Sequence, residues 1–165
     1  MAFAARDRFE RGDEGTPDTT PPLPGTPLFT EIVDRQFASF GRFFSVPLRF
    51  WLASAGSQAA RDRETVRDAW PAIKASIDGA APPMVGIVRL AGWNPLHLGL
   101  GHQVVAYRYE ESATGFTIWI YDPNYPGRDD VTLSVERRPD GSYAMRQVPD
   151  EPVVGLLALP FARPG

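Results

Sequence analysis

The spacing of apolar residues changes once along this chain, close to Pro82. Before Pro82, apolar residues recur every three or four positions, which is the period of an amphipathic helix. After Pro82, they alternate with polar residues or form short continuous runs, which is typical of strands. Because the helices come first and the strands second, the pattern predicts an α+β fold in which N-terminal helices pack on a C-terminal antiparallel β-sheet.

The N-terminal half predicts four helical segments and one surface loop. The helices are expected at residues 1–11, 27–40, 47–55 and 61–78. Pro71 must kink the last of these or begin a new helix, because proline lacks the N–H that an interior helical position donates. In the third helix, we expect Leu48, Trp51 and Leu52 to point inward. Residues 12–27 contain five prolines and three glycines, which predicts a surface loop.

The C-terminal half predicts six strands. They are expected at residues 84–90, 102–109, 116–121, 131–135, 142–147 and 153–159. A length of 165 residues suits one hydrophobic core, and no internal repeat divides the chain, so we expect residues 1–165 to form a single domain. The aromatic residues of the helical half are expected mainly in the core: Phe37, Phe40, Phe43, Phe44, Phe50 and Trp51.

The composition argues against several classes of partner and cofactor. The net charge is -3 and the basic residues are scattered among acidic ones, so we expect no binding to nucleic acid or to an anionic membrane. No apolar run reaches the roughly 18 residues of a membrane span, and the N-terminus is charged too early for a secretory signal, which leaves the cytoplasm as the default location. With no cysteine and only two histidines, His97 and His102, the sequence predicts no metal and no other cofactor.

One histidine and one carboxylate are placed so that neighbouring strands would bring them together. His102 begins one predicted strand, and Asp122 comes at the end of the next, followed closely by Asn124. A short turn joins the two strands, so they are expected to form an antiparallel hairpin. If Arg108 lies opposite Phe116, then His102 lies opposite Asp122, with Cβ atoms about 4.5–5.5 Å apart. That distance is within reach of a hydrogen bond from Nδ1–H to the carboxylate.

This pair allows two interpretations. A buried carboxylate beside an imidazole fixes the tautomer of the ring and stabilises the imidazolium that forms when the ring takes a proton. His102 and Asp122 would then supply two members of a nucleophilic triad. Alternatively, His102 is a hydrogen-bonded histidine at a strand end, and Asp122-Pro123-Asn124 is only a turn. The residues themselves leave both interpretations open.

Two sequence segments surround this pair: Gly-His-Gln-Val-Val-Ala-Tyr at 101–107 and Ile-Trp-Ile-Tyr-Asp-Pro-Asn at 118–124. Together they resemble the papain-like cysteine hydrolases, most of all the bacterial peptidase C39-like group. The resemblance implies a papain-like fold and a peptide, amide or acyl substrate. It also implies that His102 is the general base, that Asp122 orients it, and that Asn124 is the alternative orienting residue.

The chain departs from that family in one respect, because it contains no cysteine. In papain-like proteins, the nucleophilic cysteine begins a long buried helix, where the helix dipole and the histidine lower its pKa. Residues 1–11 are a helix-like segment of this kind, but no N-cap residue precedes them. We therefore expect that an N-terminal segment carrying the cysteine is missing, and that the chain as given is inactive.

Other functions remain open on the sequence. A relative without a cysteine would act as a binding or scaffolding module, and related folds also transfer acyl groups. Residues 92–101, which lead into His102, are either a substrate-facing loop or an ordinary connection between strands. The serines of the helical half offer no replacement nucleophile, since none lies in a Gly-x-Ser-x-Gly setting. These serines are Ser39, Ser45, Ser54, Ser57 and Ser76.

Overall fold

The computed structural model describes residues 2–12, 22–39, 45–94 and 101–160. Within these ranges, the helices are α1 (Ala2–Glu10), α2 (Pro27–Ser39), α3 (Ser45–Ala55), α4 (Gln58–Arg63) and α5 (Trp70–Asp78), with a π-helical stretch (Glu64–Ala69) between the last two. No described helix has both the length and the apolar character that spanning a bilayer requires. Residues 13–21 of the predicted surface loop lie outside the described ranges.

The helical path from Gln58 to Asp78 continues through Pro71. Pro71 lies in the first turn of α5, and the residues before that helix are π-helical, so that the Trp70 N–H bonds to the Thr65 carbonyl five residues earlier. The wider turn accommodates a proline ring that would otherwise meet a carbonyl of the preceding turn. The predicted kink or new helix is therefore observed as a local change of helical geometry.

The six predicted strands are present, and their ends differ from the prediction by at most two residues. They are β1 (Met84–Val88), β2 (His102–Glu111), β3 (Gly115–Tyr121), β4 (Thr132–Arg137), β5 (Tyr143–Val148) and β6 (Gly155–Leu159). Neighbouring strands pair antiparallel in one curled sheet of order β5-β4-β3-β2-β1-β6. The predicted α+β fold with a C-terminal antiparallel sheet is confirmed.

Helices cover both faces of the sheet, and each face has its own apolar core. Successive residues of a strand point to opposite faces. One face, here called the α5 face, packs against α5 and the π-helical stretch, and the other, the α3 face, packs against α3 and the start of α1. The α5 face includes Val85, Ile87, Val104, Ile120, Leu133 and Leu156, packed on Ala69, Trp70 and Ile73. The α3 face includes Met84, Val88, Val105, Leu157 and Leu159, packed on Ala2, Val46 and Phe50.

Phe50 joins α3 to the strand that carries His102. A Cβ atom added at Gly86 would lie 2.7 Å from the Phe50 ring, and one added at Gly101 would lie 2.8 Å from it. Such short distances would force the ring to move. The two glycines therefore let Phe50 pack directly against β1 and against the residue that precedes His102.

The predicted orientation of α3 is wrong. Its buried residues are Val46, Phe50 and Ser54, which recur every four positions, whereas Leu48 and Leu52 are 52% and 55% exposed. Most residues of this helix are apolar, so the pattern itself does not select one face. Packing of the Phe50 ring against glycine backbone decides which side turns inward.

The aromatic residues of the helical half divide between core and surface. Phe50 is buried as predicted, Trp51 is half-buried, and Phe37 is exposed, contrary to the prediction. Phe40, Phe43 and Phe44 lie outside the described residues.

α1 buries charged residues as well as alanines. Its Arg6 and Asp7 are buried, and the Asp7 carboxylate forms an ion pair with Arg35 of α2, in which Nη2 donates to Oδ1 at 3.1 Å. α1 lies against both α2 and β2, so its polar side is covered by a second helix. A carboxylate in such a position needs a cationic partner, because its ionised form loses hydration on burial.

Candidate active site

β2 and β3 are neighbours as predicted, but their register differs from the prediction. Val105 lies opposite Tyr121, and Ala106 lies opposite Ile120, so the pairing is shifted by two residues from the predicted register. A bulge at Tyr107 then moves the register by one more residue toward the turn. The strands also extend further than predicted, so that only residues 112–114 separate them.

His102 and Asp122 nevertheless meet. His102 lies opposite Ile87, so its side chain points to the α5 face. Asp122 follows Ile120 by two residues on that same face, and continuing the observed register would set it opposite Val104. The two side chains are thus diagonal neighbours, which lie about 7–8 Å apart at Cα and remain within reach of long side chains. The distance from His102 Nε2 to Asp122 Oδ1 is 2.6 Å.

The contact uses the other ring nitrogen from the one that we predicted. Nε2 faces the carboxylate, and no hydrogen bond from the described residues reaches Nδ1. An ionised carboxylate accepts the Nε2 proton, so the neutral ring carries its free lone pair on Nδ1. The His102 side chain is 19% exposed, whereas that of Asp122 is 0% exposed. The pair therefore has a buried end at Asp122 and an accessible end at the imidazole.

Asp122 is held in its ionised form by a set of donors. Burial of the carboxylate raises its pKa, but a hydrogen bond from His102 and one from the Asn124 backbone N–H lower it, with a further contribution from Gln147. The donors prevail, so the pKa of Asp122 lies below its ordinary value. Oδ1 accepts the Asn124 N–H at 2.9 Å, and Oδ2 accepts from Gln147 Nε2 at 2.9 Å.

Asn124 contributes its backbone to this arrangement. Its side chain is exposed, and the orienting contact to His102 comes from Asp122. The segment is also a turn, because the Tyr125 N–H donates to the Asp122 carbonyl at 2.9 Å. The turn and the carboxylate contact, which the sequence presented as alternatives, are thus both present in the same residues.

Gln147 is a site residue that sequence reasoning missed. It lies on β5 opposite Leu133 of β4, so its side chain points to the α5 face, and it is completely buried. β4 lies between β5 and β3, the strand that Asp122 follows, so Gln147 reaches Asp122 across one intervening strand of the curled sheet. The available signal was its alternation with Tyr143 and Met145, which marks position 147 as inward-facing and therefore unusual for an amide.

A second polar group borders the first. The Tyr125 hydroxyl donates to Glu151, and the same carboxylate forms an ion pair with Arg89, from Nη2 to Oε2 at 2.8 Å. Glu151 pairs with Gln147 through an isolated β-bridge, which places this group beside the amide that holds Asp122. The hydrogen bond to Glu151, followed by burial and by the charges of Glu151 and Asp122, raises the pKa of Tyr125.

Other predicted features do not join this site. Among the described residues, no cluster of three or more His, Asp or Glu side chains is arranged to hold a metal ion. Ser57 caps α4 by accepting the Ala60 N–H, and Ser76 donates to the Ala81 carbonyl, so both hydroxyls have local structural roles. Residues 95–100 of the segment that leads into His102, including His97, lie outside the described ranges.

α1 contacts the strand that begins with His102, but from the other side of the sheet. Ala2 packs with Val105 and Met84 on the α3 face, whereas the His102 and Asp122 side chains lie on the α5 face. A group that precedes α1 on the α3 face would therefore have to pass the end of β2 at His102 to reach the imidazole.

Comparison with protein-family models, with curated proteins and with solved structures finds no match to this chain. Functional inference therefore depends on the geometry of His102 and Asp122 and on the resemblance of their two segments.

Proposed function

We propose that this chain is a papain-like hydrolase domain of the peptidase C39-like kind, in which His102 is the general base and acid and Asp122 orients it. The observation that carries the proposal is the 2.6 Å contact between His102 Nε2 and Asp122 Oδ1. It fixes the ring by one nitrogen and leaves Nδ1 as a proton acceptor at a partly exposed position.

The pair would act in two proton transfers. Nδ1 takes the proton of a thiol, the sulfur forms a bond to the substrate carbonyl carbon, and the carbonyl π electrons move to its oxygen. The oxygen lone pair then re-forms the carbonyl as the bond to the leaving group breaks, and the imidazolium returns the proton from Nδ1 to that group, so that a thioester remains. Water hydrolyses this ester by the same two transfers. Throughout, the buried negative charge of Asp122 stabilises the imidazolium.

This proposal requires a nucleophilic cysteine, and the sequence of 165 residues contains none. From the resemblance to papain-like hydrolases, we expect the cysteine immediately before the residues that form α1. Sequencing the coding region upstream of Met1 gives the first test: an in-frame cysteine codon close to Met1 supports the proposal, and an in-frame stop codon defeats it.

An alkylation experiment gives the chemical test. It uses the protein extended at its N-terminus to include the cysteine encoded upstream of Met1. We expect iodoacetamide to modify one thiol rapidly at a pH well below the ordinary cysteine pKa of about 8.5. The His102→Ala variant should lose that rapid reaction, whereas Gln103→Ala, altered at the next position on the α3 face, should keep it. A thiol that reacts equally in all three proteins would exclude His102 as its base.

A second function, a binding module without chemistry, is favoured by the position of α1. Ala2 lies on the α3 face, opposite the face that carries the imidazole. Mass spectrometry of the protein isolated from its own cells separates the two functions. An unextended N-terminus at Met1 would support the binding module, and a longer N-terminal peptide containing cysteine would support the hydrolase.

A further inference from the structure

The amide of Gln147 lies in a position that packing alone does not explain. Its side chain is completely buried on the α5 face, which is otherwise largely apolar. Nε2 donates to Asp122 Oδ2 at 2.9 Å, while Oε1 is buried with no hydrogen-bond partner among the described residues. A buried amide with an unpaired oxygen is less favourable than an apolar side chain of the same size.

The amide therefore contributes through the hydrogen bond that its Nε2 donates. Asp122 has two oxygens, and His102 and the Asn124 N–H both approach Oδ1. Gln147 is the described side chain that donates to Oδ2, so it sets the rotation of the carboxylate about its last bond. Without this contact, Oδ2 would lose its described side-chain donor, and only the Asn124 N–H among the described donors other than His102 would hold the carboxylate in place.

We propose that Gln147 is a positioning residue that fixes the Asp122 carboxylate so that Oδ1 faces His102 and Nδ1 stays free. Its importance for catalysis rests on the proposed function of His102. Its effect on Asp122 and on the ring tautomer does not, because both exist without a nucleophile.

The test uses NMR on the chain as it stands, with two variants. Gln147→Met keeps the approximate volume and removes the donor. Gln147→Glu keeps the shape and places a second carboxylate beside Asp122, where like charges disfavour ionisation of both. The measurements are the titration of the Asp122 side-chain carboxyl carbon and the nitrogen-15 shifts of the His102 ring. The other nearby charged or titrating groups, Tyr125, Glu151 and Arg89, are unchanged in both variants.

We expect the Asp122 titration to move to higher pH in Gln147→Met and further in Gln147→Glu. The ring shifts should change from a single tautomer protonated at Nε2 to a mixture. A matched control is Gln58→Met, because Gln58 Nε2 also donates to a carboxylate, Asp62 Oδ1, at 2.7 Å. This control should leave both measurements at their wild-type values.

The role of Gln147 is overturned if the folded Gln147→Met protein titrates like the wild type and keeps one tautomer. If that variant does not fold, Gln147→Glu decides at alkaline pH, where an imidazole is neutral and the ionised carboxylate of residue 147 cannot donate to Oδ2. The ring should then show a mixture of tautomers, and a single tautomer protonated at Nε2 also overturns the role. Failure of the alkylation test would remove the hydrolase proposal without altering these shifts.

Discussion

Asp7 and Asp122 are both buried carboxylates, but their partners differ in kind. Asp7 pairs with Arg35, whose guanidinium keeps its charge at any pH at which proteins fold. Asp122 meets an imidazole, the side chain that can gain or lose a proton near neutral pH, and it is also held by the neutral donors of Gln147 and Asn124. The first carboxylate is always compensated, and the second is paired with a group that can change its charge.

The two pairs also differ in access. Both members of the Asp7 pair are buried between α1 and α2. In the second pair, the carboxylate is buried and the imidazole reaches the surface. A buried ion pair of fixed charge can only join two helices, whereas an anchored ring whose Nδ1 has no hydrogen bond from the described residues can exchange a proton with another molecule. The comparison therefore separates a structural ion pair from a candidate site.

The largest effect is expected when the ion pair between Asp7 and Arg35 is broken. Replacing Arg35 with leucine should lower the free energy of unfolding by about 3–5 kcal/mol, because Asp7 is left buried without a cation. Urea denaturation at neutral pH measures this change. The control is Arg128→Leu, which removes an exposed pair with Asp130 and should change the free energy of unfolding far less, because water screens exposed charges.

A double variant completes that test. Replacing both Asp7 and Arg35 with leucine should restore much of the lost stability, since neither charge is then buried alone. If Arg35→Leu were no more destabilising than Arg128→Leu, the ion pair would not hold α1 to α2.

A smaller and pH-dependent effect is expected at the second carboxylate. Asp122→Asn should lower the free energy of unfolding at pH 7 by about 1.5–3 kcal/mol, because hydrogen bonds to an ionised acceptor become neutral ones. The pKa of Asp122 is lower in the folded state than the ordinary value of about 3.9. Its stabilisation is therefore fully present above that value and is lost as the pH falls through the folded pKa.

The difference in stability between wild type and Asp122→Asn should consequently narrow as the pH falls from about 4 toward 2. Urea denaturation at a series of pH values measures it. Asp68→Asn, at an exposed position, is the control and should change stability by less than about 0.5 kcal/mol. A difference that stays constant down to pH 2 would mean that the ionised form of Asp122 is not the one that the fold stabilises.

The meeting of His102 and Asp122 could be predicted from the sequence because a short turn joins their strands. The register could not, since the bulge at Tyr107 has no marker such as glycine or proline, and the strands pair closer to the turn than expected. The contact survives this error because a histidine can also reach a diagonal neighbour. The choice between Nε2 and Nδ1 depends on the rotation of the ring, which residue spacing does not determine.

Features that depend on the curl of the sheet or on helix packing could not be predicted from the sequence. Gln147 reaches Asp122 from β5, and alternation within one strand says only that its side chain points inward. The face that α3 buries depends on the space above Gly86 and Gly101 for the Phe50 ring. In each case, the deciding contact joins segments that are far apart in the chain.

The smallest expected effect concerns Asn124, the alternative orienting residue. The structure gives its backbone N–H to Asp122 and leaves its side chain exposed. Asn124→Ala should therefore change the free energy of unfolding by less than about 0.5 kcal/mol and leave the nitrogen-15 shifts of the His102 ring unchanged. Asp122→Asn should alter the same shifts strongly, because it removes the acceptor that fixes Nε2–H. If Asn124→Ala changed the ring shifts as much as Asp122→Asn, the orienting role would pass to the amide, and the buried carboxylate would be a structural group like Asp7.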